Sequence, residues 1–341
     1  MEQNILQVKD LRVSYYTYAG EVQSVRGVSF YVKKGETLAI VGESGCGKSV
    51  TAKSIMRLIA DPGKIKDGSS IVFDGRDVLA MRKRELRSYR GDDCAMIFQD
   101  ALTSLDPTMK VGKQIAEVLK IHGKANGKRA AAQAVELLRQ VGIPNPERRA
   151  QEYPHQFSGG MRQRAMIATA LACSPKLLIA DEPTTALDVT IQAQIIDLMK
   201  QLQQQTGTAI ILITHDLGVV ADIAQRICVM YSGKIVECGS ARDIFYRPRH
   251  PYTLALLSSV PRLDLKNKQE LVTIDGTPPD LLQPPAGCPF CTRCKYCMPI
   301  CRDEMPAETD FGSGHLAACW LHDARAPSVD APLYDEKETE K

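Results

Sequence analysis

The chain is 341 residues long, 44% hydrophobic and 24% charged, with a formal net charge of +3. That leaves room for one large α/β domain and a smaller one, and too little excess charge to mark a nucleic-acid surface. No run approaches the roughly 18 uninterrupted apolar residues of a membrane span, and Met1-Glu2-Gln3-Asn4 lacks the layout of a secretory signal, so a cytoplasmic protein is expected.

In chain order, Ile5 to Ser14 and Val25 to Val32 alternate apolar and polar residues and read as antiparallel strands covering a ligand site. Thr37 to Val41 is an apolar run that reads as a buried strand. It runs into Gly42-Glu43-Ser44-Gly45-Cys46-Gly47-Lys48-Ser49, which fill the pattern G-x-x-x-x-G-K-[ST]. Glycines let such a loop coil until its N–H groups face the α- and β-phosphates, and the positive end of the following helix dipole adds to the field. Lys48 then reaches the β/γ-phosphates, Ser49 ligates Mg²⁺, and Val50 continues the first turn of a helix expected to run to Ile59 and stop at Pro62-Gly63. A glycine turn that merely joins strand to helix needs no Lys-Ser tail, so the chain is read as binding a nucleoside triphosphate.

Met96-Ile97-Phe98 closes another apolar strand at Gln99, a candidate to contact Mg²⁺ and the attacking water. From Lys110 to Val141 the spacing turns helical, split at Gly123 to Gly127, and marks a helical insert spanning about residues 100 to 172. Phe157-Ser158-Gly159-Gly160-Met161-Arg162-Gln163-Arg164 opens a helix capped by Ser158, with glycines that let a phosphate approach the backbone. It has no lysine of its own, which is best explained if it serves the nucleotide of another subunit. Leu177 to Ala180 ends in Asp181-Glu182, placing one carboxylate to hold hydrated Mg²⁺ and the other to polarise water. Ala209 to Thr214 ends in His215, a donor for the γ-phosphate.

The texture changes after about Arg262, with Pro278, Pro279, Pro284 and Pro285 and then a crowd of cysteines. The expected division is residues 1–260 for the nucleotide-binding domain, 261–323 for a small C-terminal domain, and 324–341 for a polar disordered tail. Of eleven cysteines, Cys46, Cys94, Cys173, Cys228 and Cys238 are scattered and read as small buried apolar residues. Cys288, Cys291, Cys294, Cys297, Cys301 and Cys319 ask for a metal. From Cys291 onward the spacing is that of a bacterial ferredoxin run, with Arg302 where proline would stand. Thiolate ligation of an Fe–S cluster is therefore the leading reading, and Zn²⁺ held by four thiolates is its rival.

The phosphate loop, Gln99, Ser158 to Arg164, Asp181-Glu182, Ala186-Leu187-Asp188 and His215, in this order, resemble the nucleotide-binding subunits of ABC transporters. The resemblance implies an α/β fold: an ABC-type P-loop NTPase core with an antiparallel β-subdomain and a helical subdomain, followed by the small cysteine-rich domain. It also implies a head-to-tail dimer sandwiching two ATP molecules. In it Lys48 and Ser49 bind phosphate and Mg²⁺, Glu182 is the general base, Ser158 and Gly160 grip the γ-phosphate in trans, and Asp188 links the two sites. Phe157 stands where the family usually has leucine. An aromatic residue near the N-terminus stacks on adenine in this family; Tyr15, Tyr16 and Tyr18 compete, with Tyr15 preferred.

Three further stretches narrow the resemblance to the oligopeptide, dipeptide and nickel permease branch: Gln99-Asp100-Ala101-Leu102-Thr103-Ser104-Leu105-Asp106-Pro107, Tyr153-Pro154-His155-Gln156, and His250-Pro251-Tyr252-Thr253-Leu254-Ala255-Leu256-Leu257. Gly276-Thr277-Pro278-Pro279-Asp280-Leu281 extends the match towards the C-terminus. By this resemblance Cys288, Cys294, Cys301 and Cys319 hold a [4Fe–4S] cluster, with Cys291 and Cys297 as alternatives. The expected role is ATP-driven peptide import with two transmembrane permease subunits, a second homologous ATPase subunit and an outside solute-binding protein, on the cytoplasmic face of the inner membrane and without nucleic acid. A nickel or other small-solute importer is the alternative within the class. A soluble ABC protein acting on ribosomes or DNA is the alternative outside it, although neither a second nucleotide domain nor a long coiled-coil insert is present. An ATP-binding regulatory subunit that does not hydrolyse is disfavoured by Glu182 and His215.

Overall fold

The computed structural model describes residues 4–100, 104–185, 187–259 and 274–327. Ala186, the expected boundary at 260/261 and most of the 324–341 tail lie outside the described residues. Strands β1 (Asn4–Thr17) and β2 (Gly20–Lys33) pair antiparallel, as their alternation predicts, burying Leu6, Val8, Leu11 and Val13 of β1 and Val28, Phe30 and Val32 of β2 in one core. Strands β4 (Gly63–Ile65), β5 (Ser70–Phe73) and β6 (Arg76–Asp77) complete this first sheet in the order β2-β1-β5-β6, with β4 against β1.

The second sheet holds β3 (Thr37–Val41), β7 (Cys94–Ile97), β8 (Leu177–Asp181), β9 (Ala209–Thr214), β10 (Arg226–Tyr231), β11 (Lys234–Ser240), β12 (Glu308–Asp310) and β13 (Leu316–Ala318). Their order is β12-β13-β11-β10-β3-β9-β8-β7, and β10, β3, β9, β8 and β7 run parallel. Every residue of β3, β7, β8 and β9 is buried because both faces are covered. Leu177 and Ile179 enter the core shared with the first sheet, whereas Leu178 and Ala180 enter the core beneath the helices.

The helices are α1 (Lys48–Ile55), α2 (Val111–Ile121), α3 (Gly127–Gln140), α4 (Gly159–Leu171), α5 (Val189–Thr206), α6 (Leu217–Ile223) and α7 (Pro251–Ser258), beside several single turns. The expected helical insert appears as α2, α3 and α4, and the glycine-bounded break falls between α2 and α3. Among the described residues no helix is long and apolar enough to cross a membrane.

Two readings are corrected. Helix α1 ends at Ile55 and not at Ile59: Arg57 takes a left-handed φ of 50° and Leu58 N–H donates back to the Lys53 carbonyl at 2.7 Å, a terminating turn usually built on glycine. The Arg57 guanidinium offsets the strain by donating to the Val78 and Met81 carbonyls. Cys228 and Cys238 are not single buried thiols. They face each other in register across β10 and β11 and are joined as a disulfide, a proximity that strand pairing creates and spacing does not show.

The cysteine-rich segment is built onto the second sheet: β13 pairs with β11, and Cys288, Phe290, Cys291 and Cys301 share an apolar core with Val41, Tyr231 and Tyr252. Glu237 of β11, 1% exposed, holds this junction by accepting from Arg249 N–H at 2.7 Å and His250 N–H at 2.9 Å, with His315 Nε2 at 2.8 Å. Replacing Glu237 by alanine orphans these three buried groups and is expected to cost on the order of 3 kcal/mol. Urea unfolding measures this, and a loss below about 0.5 kcal/mol, the size of an ordinary surface substitution, would show that the junction is held by other means.

Candidate functional site

Val41 of β3 lies opposite Thr214 of β9, and Ile213 of β9 opposite Asp181 of β8, so three strands end together at one edge. Such an edge is where a doubly wound sheet exposes backbone and side chains to a ligand. Gly42 to Ser49 leave β3 there as a tight loop. A Cβ on Gly42 would lie 2.1 Å from the Met230 carbonyl oxygen, and one on Gly47 2.4 Å from that of Ser24, with φ of 152° and 103°, so neither position accepts a side chain. Ser44 and Gly45 are exposed at the crown, and Cys46 is buried beneath it. Lys48, 4% exposed, curls its Nζ into the loop and donates to the Gly42 and Glu43 carbonyls at 2.7 and 2.9 Å. Val50 follows in α1, half-buried against the first core.

Ser49 Oγ donates to Asp181 Oδ1 at 2.8 Å. Asp181 is 3% exposed; burial pushes its carboxyl above the ordinary aspartate range, Ser49 opposes that, and the neighbouring Glu182 charge adds to it. Such a carboxylate is poised for a cation. Glu182 sits in a left-handed conformation at φ 48°. Its Oε2 accepts from Gln99 Nε2 and Thr185 Oγ1, each at 2.9 Å, and its Oε1 lies 3.5 Å from His215 Nδ1. Ser49, Gln99, Asp181, Glu182 and His215 therefore meet as the sequence predicts. Thr185 was not foreseen, since only the turn after Glu182 brings it back.

Ser158 caps α4 by accepting from Met161 N–H at 3.3 Å, and Asp188 caps α5 by accepting from Ile191 N–H at 2.9 Å. The two helix starts abut, because a Cβ on Gly160 would lie 3.0 Å from Ile191 Cγ2. Among the described residues no hydrogen bond joins Ser158 or Gly160 to the phosphate loop. Tyr15 is half-buried, its ring filling the space that a side chain on Gly63 would need; Tyr16 lies under Lys64 Nζ, 5.6 Å from its ring centre, and Tyr18 is exposed.

Cys288, Cys291, Cys294, Cys301 and Cys319 line one small cavity with His250, Phe290 and Trp320, whereas the Cys297 thiol faces the Met298 carbonyl at 3.6 Å. Burial pushes Cys288 and Cys319 up to about 12 and Cys294 to about 11. Within the set Cys288, Cys294, Cys301 and Cys319, every pair also repels on ionisation. Cys291 and Cys297 reach Cys294 and Cys301. His250, its pKa lowered to about 3 by burial, accepts the Tyr252 N–H on Nδ1 and leaves a buried Nε2 with no partner. The one group of three metal-type ligand atoms within 4.8 Å of each other among the described residues is Asp92, His122 and Cys173, none of them from this cluster. No three of the cluster thiols lie within 4.8 Å of one another.

Comparison with known proteins agrees with this geometry. Residues 25–185 match the ABC transporter family and residues 236–301 the C-terminal region of oligopeptide/dipeptide transporters. The oligopeptide transport ATP-binding protein OppD of Bacillus subtilis (strain 168) is 56% identical over 329 residues, 96% of this chain and 92% of that protein. The dipeptide transport ATP-binding protein DppD of the same organism is 56% identical over 325 residues, 95% of this chain and 96% of that one. Among solved structures, the ATP-binding cassette MJ0796, dimeric in a post-hydrolysis state with ADP and Pi, superposes with a TM-score of 0.63 at 28% identity, over 70% of this chain and 99% of that one. The loop that encloses Lys48, the carboxylates at the end of β8 and the matched C-terminal region together mean that the chain belongs to the ATP-binding subunits of ABC transporters, in the oligopeptide/dipeptide branch.

Proposed function

We propose that this ATPase powers import of di- and oligopeptides through an inner-membrane permease. The observation that carries the reading is the convergence of Lys48, Ser49, Gln99, Asp181, Glu182 and His215 on one sheet edge, in a chain whose relatives are named for peptide transport. Two permease subunits, a second homologous ATPase subunit and an outside solute-binding protein complete the machine, with this chain peripheral on the cytoplasmic face.

In this reading Lys48 exchanges its carbonyl partners for the β- and γ-phosphates, the N–H groups of Ser44 to Val50 surround them, and Tyr15 stacks on adenine. Ser49, Asp181 and Gln99 fit Mg²⁺, since they offer oxygen donors around a buried carboxylate that lacks a full positive partner. When bound, Mg²⁺ neutralises charge developing between the β- and γ-phosphates. Glu182, steered by Gln99 and Thr185, takes a proton from the attacking water, and His215 donates to the γ-phosphate oxygen. Ser158 and Gly160 serve the nucleotide of the second ATPase subunit, and Asp188 couples the two sites. Closure on ATP and reopening after hydrolysis then move the permease between inward- and outward-facing states.

The division at residue 260/261 is part of this proposal, with the C-terminal thiols as ligands of a [4Fe–4S] cluster. Cys288, Cys294, Cys301 and Cys319 are the favoured set: all line the cavity, and the unpartnered His250 nitrogen gives that wall a polar group suited to cluster sulfur. When bound, the cluster supplies thiolate bonds that staple a segment with few backbone ladders of its own. Zinc held by four thiolates is the rival.

Glu182→Gln in the assembled transporter is expected to lower the turnover of this site at least about 100-fold while ATP still binds; unchanged turnover would remove Glu182 from the role of base. Asp181→Asn tests the buried charge. Because the folded-state pKa of Asp181 is raised, the folded chain keeps this proton above the ordinary carboxylate range, and stability falls as pH rises through that window. The asparagine variant, without nucleotide, should therefore gain stability relative to the parent at pH about 7 and not at pH about 3, while losing Mg²⁺-dependent hydrolysis. Equal urea midpoints at both pH values would refute the electrostatic account. For the C-terminal segment, protein purified without oxygen should contain about four irons and four acid-labile sulfides per chain. Cys319→Ser should lose them and Cys297→Ser should not, whereas one zinc without sulfide would replace the cluster by a zinc staple.

A further inference from the structure

The phosphate loop is gripped from the cysteine-rich segment by a side chain that none of the nucleotide motifs contains. Arg293, between Cys291 and Cys294, has a side chain 5% exposed and forms a two-pronged bridge to Glu43: Nη1 to Oε2 at 2.7 Å and Nη2 to Oε1 at 3.0 Å. Its remaining donors are occupied, with Nη1 also reaching Tyr231 Oη at 3.1 Å, Nη2 the Ile274 carbonyl at 3.0 Å and Nε the Asp275 carbonyl at 2.9 Å. Glu43 is the second residue of the loop and is held at three points. Its carboxylate takes Arg293, its N–H donates to Tyr252 Oη at 2.9 Å, and its carbonyl accepts Lys48 Nζ at 2.9 Å. The residue that engages the loop lysine is therefore the same one that the C-terminal segment fixes.

We propose that Arg293 is a positioning residue for ATP binding: its fork orients Glu43 and so presets the phosphate loop around Lys48. The inference rests on the reading of Gly42 to Ser49 as the ATP loop. A planar guanidinium matches a carboxylate in two places at once and fixes its orientation, which an ammonium does not. Because the arginine side chain is buried and the carboxylate a quarter exposed, removing Glu43 leaves the guanidinium uncompensated, and removing Arg293 frees Glu43 to turn away or draw in Lys48. A bridge serving only to dock the C-terminal segment would leave the loop indifferent to its loss.

The test is a double-mutant cycle on the full chain, with a ribose-labelled fluorescent ATP and Mg²⁺ as probe. Arg293→Met and Glu43→Gln should each raise Kd about tenfold, and the double variant no further than the weaker-binding single one. In the assembled transporter Arg293→Met should raise KM for ATP by a similar factor and leave kcat within about twofold, because Gln99, Glu182 and His215 are untouched. Arg293→Lys keeps the charge and the apolar stem but not the fork, so it should lose about threefold and carries the test if the methionine variant fails to fold. Wild-type affinity in both Arg293→Lys and Glu43→Gln would overturn the proposal, as would a double variant whose loss is the product of the single losses. Lys48→Ala separates the two readings: abolished binding supports the loop assignment on which the strut depends, and wild-type binding would overturn that assignment itself.

Discussion

Everything at the nucleotide edge depends on three parallel strands ending at one level. With Val41 registered on Thr214 and Ile213 on Asp181, the next residues along the chain are Gly42, His215 and Glu182, drawn from distant segments. Inside the sheet their backbone groups are consumed by the ladder; one residue further on they are free for a ligand. The arrangement carries a cost that the protein compensates internally. Lys48 is satisfied by carbonyls of its own loop, Asp181 by the Ser49 hydroxyl, and Glu182 by Gln99 and Thr185. The partners of Lys48 and Asp181 are neutral and weaker than the phosphates and Mg²⁺ proposed for these two side chains, whereas Gln99 and Thr185 stay with Glu182 in the proposed reaction. Glu182 in a left-handed backbone conformation belongs to the same economy, because backbone strain persists only where its surroundings over-determine it.

The C-terminal segment is part of that over-determination. Its strands β12 and β13 are three residues each, too short to hold a sheet alone, and they extend the ATPase sheet at β11. Tyr231 lies at the end of β10, and Tyr252 and Phe290 stack about it with ring centres 4.5 and 5.3 Å away, while Tyr252 also accepts the Glu43 N–H. Apolar packing behind the phosphate loop and thiol packing around Cys288 and Cys301 are thus one continuous core. Loss of order in the cysteine segment cannot stay local, because it removes the wall against which the loop is built.

What was legible in the sequence, and what was not, follows from the range of each signal. The phosphate loop, Ser158 as a helix cap and the acids after Leu177 to Ala180 are local: conformation and chemistry are set within about eight residues, and the structure has each where the spacing puts it. The convergence of Gln99, Glu182 and His215 was legible only because every one closes an apolar strand, and parallel strands in one sheet share an end. Arg57 shows the opposite case. Its left-handed turn is stabilised by the Val78 and Met81 carbonyls, distant partners that let a residue other than glycine end a helix where the local pattern continues it. The Cys228–Cys238 pair, the Thr185 bond to Glu182 and above all the Arg293 bridge to Glu43, across 250 positions, have no periodicity to announce them. An arginine amid cysteines reads in isolation as a solvated charge. Only the fold, by laying that segment against β10 and α7, brings its guanidinium within reach of the loop and makes burial favourable by supplying a carboxylate, two carbonyls and a phenol at once.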